Sequence, residues 1–408
     1  KELTVNGRDI LCLAAALLGC LLVLELLGGF TGHAPQPGDF AVRNAIYDTL
    51  IRCDWPLVSA AGEQFVYYHA FWLPPAMVCK YMGGIDPYAL LFWWVFAGVA
   101  LSFCLFFMRL KGRVLGYFLL LCFLGCITEW VSTGGHGFMD EHGCVPVVSL
   151  MDAVLPVHNM SYVAWGTQIT WTFNHAVPLC VLMGLLLPGF LPMRHRLAAA
   201  ALILPVSPLG GLCLLLLLGM QMLPAWRRLK SFLSVSTLLA IPFVGVEALY
   251  YAGGNPMEWG FIFPRLGDAA LLKTFLLCVL WTVVPACFLL RPYRRTVLFR
   301  YCLLLALLLP CIIIGAAVEG EPMGVRNNEF LYKGSLLLFM PLCWLYLLRL
   351  RHARRTLRCV ILLYILASAG MLFWRGFRGL NHYTWNPDAM QENIRTEWGG
   401  CLDHPEKD

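Results

Sequence analysis

The chain has 408 residues, of which 59% are hydrophobic and only 13% are charged, and its formal net charge is +6. Soluble globular proteins carry about 25% charged residues, and a chain of this length needs more charge than it has to cover a water-facing surface. The composition therefore argues against a soluble enzyme, a disordered scaffold and a nucleic-acid-binding protein. It predicts an all-α, polytopic membrane protein.

The 17 cysteines do not indicate a disulfide scaffold. Most of them lie inside apolar runs, where a thiol behaves as a small apolar group. Cys53, Cys144 and Cys401 lie in polar segments and are the candidates for a disulfide.

A helix needs about 20 apolar residues to cross the hydrocarbon core of a bilayer. The first apolar run, 10–30, lacks the cleavage pattern of a signal peptide and is predicted as the first transmembrane helix. Segments 66–83, 144–157 and 197–223 are less regular candidates, which brings the total to about ten to thirteen spans. The other clear spans are 88–108, 114–131, 174–192, 232–251, 269–290, 297–317, 335–349 and 357–374.

Short loops rich in Lys and Arg mark the cytoplasmic side of a membrane protein. The four basic loops predicted to be cytoplasmic are 193–196, 227–230, 291–295 and 349–355. Since the first two lie on one side, the segment 197–223 between them must enter and return. Pro205 and Pro208 flank Ser207 inside it, which predicts a broken helix or two half-helices.

The remaining loops carry acids and aromatics and are predicted to be external, within a transmembrane module over 1–375 that is followed by a short external tail over 376–408. These external loops are 31–65, 132–173, 252–268 and 318–334. The basic loop 109–113 fits this scheme poorly. If 31–65 is external, 109–113 breaks the rule and 144–157 must be a short span; if 109–113 is cytoplasmic, 66–83 runs outward and 31–65 is cytoplasmic.

Charged residues at the membrane are costly and are therefore candidates for function. After the first span, Asp39, Arg43, Asp48 and Arg52 recur at helical spacing beside apolar residues, which predicts an amphipathic helix at the interface. Asp39 is either a carboxylate that faces a lipid-borne substrate or the N-cap of this helix after a Pro-Gly pair.

Two further clusters are rich in aromatic residues. The run Tyr67–Pro75 contains His69 and fits either an interfacial aromatic belt or part of a site. A second run places Trp165, Gln168 and His175 at the start of a span. Ring faces, amides and histidines are typical of sites that bind sugar rings, and the alternative is again a belt.

Zinc ligation by His136, Asp140 and His142 is not predicted, because their spacing differs from known zinc helices and no cysteine pair joins them. No cofactor is expected, and a divalent metal is left open. The chain also lacks a phosphate-cradling glycine loop, a serine elbow and an HExxH motif.

The last cluster lies just before a late span and comprises Arg326, Asn328, Glu329 and Lys333. Positive charge on the external side runs against the usual bias. A phosphate or pyrophosphate headgroup would explain it. The alternative is an ion pair within the loop.

In the order in which they follow along the chain, these clusters resemble those of the GT-C class of integral-membrane glycosyltransferases. Enzymes of that class use polyprenyl- or dolichyl-phosphate-linked sugars. Gly38-Asp39-Phe40 with the interfacial helix looks like the external loop that carries the catalytic acid of that class. Tyr67–Pro75 looks like the start of its second helix, and Phe173–Ala176 is similar to a polar helix edge in related bacterial membrane proteins. The resemblance places 31–65 outside. The chain departs from many members in lacking a second acid beside Asp39 and a large soluble C-terminal domain.

The resemblance implies a GT-C-like fold and an inverting transfer of sugar from a polyprenyl-phosphate-linked donor to an acceptor hydroxyl, with Asp39 as general base. Lys333 and Arg326 would hold the lipid phosphate. The expected partners are this donor, a glycan or lipid-linked acceptor and membrane lipids, but no nucleic acid. The expected location is a bacterial inner membrane, with the active site on the periplasmic face. The other candidate substrate-binding residues are Arg43, His69, Trp165, Gln168, His175, Asn328 and Glu329.

Two alternatives stay open. A transporter or flippase for a lipid-linked sugar would call for inverted repeats and ionisable residues at mid-membrane, where Glu247 and Glu129 are the candidates. A membrane transferase of acyl or phosphoethanolamine groups would need a Ser or Thr nucleophile or a His-centred site, and none stands out.

Overall fold

The computed structural model describes residues 5–30, 40–57, 66–124, 162–222, 234–253, 257–263, 269–316 and 328–367. They form a bundle of helices with one small sheet, in which β1 (Met257–Phe261) and β2 (Ile312–Ala316) pair antiparallel. The helices α1 to α14 are, in chain order, Gly7–Gly28, Phe40–Arg52, Leu73–Met82, Pro87–Leu110, Val114–Phe123, Trp165–Trp171, Phe173–Leu186, Met193–Ala201, Pro208–Met222, Val235–Ala252, Ala269–Leu289, Val297–Cys311, Glu329–His352 and Arg355–Ala367.

Four helical segments are long and apolar enough to cross a membrane, namely Gly7–Gly28, Pro87–Phe123, Val235–Ala252 and Glu329–His352. The second of these combines α4 with α5. The all-α class is confirmed, and these helices indicate a multi-pass membrane protein. The predicted total of about ten to thirteen spans exceeds the four of membrane length among the described residues.

Helix starts follow from capping residues in the sequence. The side chain of Asn6 accepts from the backbone N–H of Asp9 at 2.8 Å, while the Asp9 carboxylate accepts from the backbone N–H of Asn6, and this capping box begins α1. Asp86 caps α4 in front of Pro87, whose missing N–H costs nothing at a first helical position. The chain therefore enters both long helices at a defined residue.

Helix α13 lies in the centre of the bundle and is buried along most of its length. Helices α12, α9, α5 and α7 surround it. A Cβ at Gly334 of α13 would lie 2.2 Å from the Leu309 side chain and 3.1 Å from Cys213 Sγ. This glycine therefore permits α12 and α9 to approach α13 closely. Small residues of this kind commonly allow helices to pack in membranes.

The bundle has two ends that differ in charge. At one end, Arg349 Nε donates to the carbonyl of Leu289 at 3.1 Å, and the start of α5 lies beside Leu347. The loop 109–113 leads into the start of α5 and therefore joins this end, where the N–H of Gly112 donates to Asp9 of α1. We call it the basic end, and the opposite end, where α13 begins, the polar end. The basic loops 193–196, 291–295 and 349–355 also lie at the basic end.

The segment 66–83 does not cross the bundle, which corrects the prediction of a span there. Its helix α3 has 10 residues, about half the length that a bilayer requires, and Tyr47 of α2 contacts Pro87 at the start of α4. Residues 40–57 and 66–86 therefore stay at the polar end. The predicted conflict disappears, because 109–113 can obey the charge rule while the described part of 31–65, residues 40–57, lies at the other end.

The predicted break in 197–223 is confirmed. Helix α8 ends at Ala201 and α9 begins at Pro208. Arg196 Nη1 donates to Gln221 Oε1 at 2.6 Å, so both outer ends lie together at the basic end. The half-helices α8 and α9 therefore enter the bundle from the basic end and return to that end, as predicted.

The span predicted over 297–317 ends as a helix at Cys311 and continues as β2. Pro310 removes a helical donor, and three consecutive isoleucines follow at 312–314. β-Branched residues favour a strand over a helix. Main-chain pairing with β1 then satisfies the backbone groups that the helix no longer uses.

Two tyrosine hydroxyls donate to helix carbonyls that a proline leaves without a backbone donor. Pro310 leaves the carbonyl of Ala306 without its helical donor, and Tyr162 Oη donates to that carbonyl. Pro285 does the same to the carbonyl of Trp281, to which Tyr364 Oη donates at 3.0 Å. Within a bilayer such carbonyls have no water to bind, so each hydroxyl replaces a lost backbone bond.

We predict that Tyr162→Phe lowers the free energy of unfolding by about 1–2 kcal/mol, because it leaves the buried Ala306 carbonyl unsatisfied. In a Pro310→Ala background, where the backbone N–H is restored, the same change should cost much less. Unfolding of the four proteins in detergent measures the coupling. Equal costs in both backgrounds would show that the hydroxyl does not compensate for the proline.

Candidate functional site

A half-enclosed cavity of about 120 Å³ lies at the polar end of the bundle. One ordered water needs only about 10–15 Å³, so the cavity has room for a small polar group and solvent. Its walls come from α2, the segment before α3, α6, α7 and α13. The lining residues are Arg43, Tyr67, Val163, Thr167, Gln168, Trp171, Thr172, His175, Glu329, Tyr332 and Lys333.

Arg43 reaches this cavity because of the pattern of α2. The predicted amphipathic helix is confirmed over Phe40–Arg52, and Ile46, Tyr47 and Leu50 are buried on one face. Arg43 lies one turn before them at the same helical phase and is 7% exposed. An arginine on an apolar face is costly to bury, which makes it a candidate for function.

Lys333 is the second cation of the cavity and is 6% exposed. It forms an ion pair with Glu329, four residues earlier in α13, and its Nζ lies 4.3 Å from the centre of the Tyr68 ring. Glu329 is the first residue of α13, where a carboxylate favours the helix dipole. Lys333 lies one turn later, where its positive charge opposes the same dipole, so it depends on this carboxylate and on the tyrosine ring.

Arg43 and Lys333 face one carboxylate, Glu329, among the described lining residues. The described part of the cavity wall therefore has an excess of positive charge, even with His175 counted as neutral. Guanidinium and ammonium groups in partly enclosed surroundings bind anionic oxygens through short, charge-assisted hydrogen bonds. The electrostatics of the cavity fit an anion.

The polar wall opposite α13 is held in a fixed orientation. Gln168 Nε2 donates to the carbonyl of Tyr332, and Gln168 Oε1 accepts from Thr172 Oγ1 at 2.8 Å. His175 Nδ1 lies against the carbonyl of Val206, in the break between α8 and α9. The cavity is thus tied to the half-helix pair.

Among the predicted site residues that the structure describes, three do not line this cavity, and each has a structural role instead. Trp165 is buried between Phe103 and Phe118, with ring centres 5.8 Å and 6.0 Å away. Asn328 caps α13 through the N–H of Leu331 and donates to the carbonyl of Ile312 at 3.1 Å.

His69 is the third residue outside the cavity lining. Its Nδ1 lies 3.2 Å from the hydroxyl of Tyr250, which also bonds to the backbone of Tyr67. This arrangement holds the end of α10 against the segment before α3. Burial lowers the pKa of His69 below its ordinary value, so the imidazole is neutral at pH 7.

Asp39 and Arg326 lie outside the described residues, as do His136, Asp140 and His142. Asp39 directly precedes the first residue of α2 in the sequence. In the described ranges, no group of three His, Cys, Asp or Glu side chains is placed to hold a metal ion.

Sequence reasoning missed Thr172 and Tyr332, two polar residues of the cavity wall. Tyr68, which lies beside the cavity, is predicted only as a member of the run Tyr67–Pro75. Thr172 lies one helical turn after Gln168, so the spacing of the predicted residues could have indicated it. Tyr332 takes part through its backbone carbonyl, for which no sequence signal exists.

No known protein family, curated protein or solved structure matches this chain. The roles of the cavity residues accordingly rest on their chemistry and geometry.

We predict that Lys333→Met lowers the free energy of unfolding by roughly 1–3 kcal/mol, because Glu329 then loses its cation in a half-buried position. Adding Glu329→Gln should recover most of the loss. Thermal unfolding of both variants in detergent tests this. An unchanged transition in Lys333→Met would show that the ion pair contributes nothing to the fold.

Proposed function

We propose that the protein is a membrane-embedded glycosyltransferase that takes its sugar from a polyprenyl-phosphate-linked donor and works at the polar end of the bundle. The observation that carries the proposal is the presence of two buried cations, Arg43 and Lys333, in one polar cavity. They come from distant parts of the chain, so the fold brings them together at a cost in desolvation. A phosphate that binds both would offset this cost.

The position of the cavity also supports a lipid-borne substrate. It lies at an end of helices that are long enough to span a bilayer, where the headgroups of lipids are found. The basic loops 193–196, 291–295 and 349–355, which are the described ones of the four predicted to be cytoplasmic, lie at the opposite end of the bundle. The charge rule favours a cytoplasmic location for that end. This supports our proposal that the cavity faces the external side of a bacterial inner membrane.

The proposed reaction is a single displacement. An acceptor hydroxyl forms a bond to the anomeric carbon while the bond from that carbon to the phosphate oxygen breaks, and the polyprenyl phosphate leaves with the electron pair. Asp39 takes the hydroxyl proton. Lys333 and Arg43 stabilise the charge that develops on the leaving phosphate, and Gln168 and His175 contact the sugar.

The binding step can be tested with polyprenyl phosphate, and with polyprenol as the probe without phosphate. We predict that Arg43→Gln and Lys333→Met each weaken binding of the phosphate by about 10- to 100-fold, because each removes a charge-assisted bond. Binding of polyprenol should not change. Lys80→Met is the matched control, since Lys80 lies at the same end but contacts Cys53 and Asp54 instead. Equal binding by all the variants would refute the phosphate site.

The chemical step depends on Asp39. We predict that Asp39→Asn reduces sugar transfer by about 10²- to 10⁴-fold, the usual contribution of a general base, while donor binding is retained. Asp54→Asn, which alters an exposed carboxylate that pairs with Lys80, serves as the control. Transfer of labelled sugar from the lipid donor is the measurement. Full activity of Asp39→Asn would rule out this mechanism.

One observation favours a second function, that of a flippase or transporter for a lipid-linked sugar. The break between α8 and α9 reaches the cavity, where Val206 contacts His175, and discontinuous helices line many transport sites. A flippase would bind the same lipid phosphate and transfer no sugar. Movement of a labelled lipid across reconstituted vesicles would distinguish it from the transferase.

A further inference from the structure

A second cavity, of about 460 Å³ and more open to the surface than the first, lies at the basic end of the bundle, away from the candidate site. Four arginines line it, namely Arg291, Arg294, Arg295 and Arg349, together with Phe288 and Pro292. Its volume lies within the range of about 300–1,000 Å³ that is usual for ligand sites.

The end of α11 builds this cavity. The helix stops at Leu289, and a 3₁₀ turn over Arg291–Tyr293 follows. Arg349 of α13 donates through Nε to the carbonyl of Leu289, one of the carbonyls that a helix end leaves without a partner. This bond fixes the guanidinium of Arg349 beside the arginine of the turn, Arg291, and the two that follow it, Arg294 and Arg295.

The charges of this cavity are not balanced by the described residues. No carboxylate is among its lining residues, and none of the ion pairs seen in the described ranges includes any of its four arginines. Like charges in one cavity repel. By contrast, Arg196 at the same end uses its guanidinium on Gln221 and on the carbonyl of Leu191.

An apolar stripe leads to the arginines along α11. Leu276, Leu280, Val284 and Phe288 follow one another at intervals of four residues, which places them on one face of the helix. All four are exposed, and Phe288, at the edge of the cavity, is 78% exposed. In a bilayer such a face lies against acyl chains.

We propose that this cavity binds an anionic phospholipid, with the phosphate among the four arginines and an acyl chain along the stripe of α11. The combination of a concave basic cluster with a continuous apolar path fits a lipid better than a soluble anion. Basic pockets at the cytoplasmic ends of membrane helices are known to hold acidic headgroups. The proposal requires that the protein spans a membrane and does not depend on the function of the polar-end cavity.

The test measures lipid binding to the purified full chain by native mass spectrometry and by the shift of its unfolding temperature. The probes are phosphatidylglycerol, phosphatidylcholine as the lipid without net charge, and inorganic phosphate as the anion without acyl chains. The variant R291Q/R294Q/R295Q removes three exposed arginines of the cavity. The control R351Q/R354Q/R355Q removes three exposed arginines from the same end but outside the cavity.

We expect phosphatidylglycerol to bind and stabilise the wild type and the control alike, and to bind the cavity variant about a hundredfold more weakly. Phosphatidylcholine and inorganic phosphate should give no comparable shift. The proposal is overturned if the control loses as much affinity as the cavity variant, or if inorganic phosphate stabilises the protein as well as the lipid does. Equal binding of phosphatidylglycerol by wild type and cavity variant would also overturn it.

Discussion

The ion pair between Lys333 and Glu329 is the interaction on which the polar end depends. Lys333 lies in the first turns of the central helix, among residues that are almost all buried. An isolated charge there would be costly. Its carboxylate partner, the Tyr68 ring and the open cavity together make the position tolerable. Helix α13 packs against most of the bundle and is buried along most of its length, so a lysine on it needs a polar space beside it. The polar cavity lies at the position of Lys333 for this reason.

The same constraint applies to backbone groups throughout the bundle. Carbonyls freed by Pro285 and Pro310 are bonded by tyrosine hydroxyls. Asn328 donates to the carbonyls of Leu309 and Ile312, where α12 passes into β2. Polar side chains therefore divide into two groups. One group completes the hydrogen bonding of the fold, and the other, represented by Arg43 and Lys333, is buried beside a space that the chain leaves open.

This division explains how far the sequence predicts the site. Hydropathy predicts the helices well, because the run length and the periodicity of apolar residues directly determine a helix. The helix over 40–52 and the break near Ser207 also follow from local signals. The fold could not be predicted at 66–83, where the aromatic residues make the run apolar although α3 is only 10 residues long.

The site could be predicted only in part for a different reason. Sequence shows which residues are polar, but not which carbonyl or ring each one meets. Gln168 and Trp165 stand three positions apart and look alike as candidates, yet one lines the cavity and the other packs between two phenylalanines. Their difference arises from the contacts of α6 with α5 and α13, which are distant in sequence.

The two ends of the bundle hold their cations in opposite ways, and the difference bears on what each end can bind. Arg43 and Lys333 are buried, so most of their desolvation precedes the arrival of any ligand, and a bound phosphate would meet donors that are preorganised. The arginines after α11 are exposed. Exposed charges of this kind attract anions through their combined electrostatic potential and discriminate only weakly between anions of different shape. Selective binding of one substrate is therefore expected at the polar end, whereas the basic end suits the abundant lipids of the surrounding leaflet.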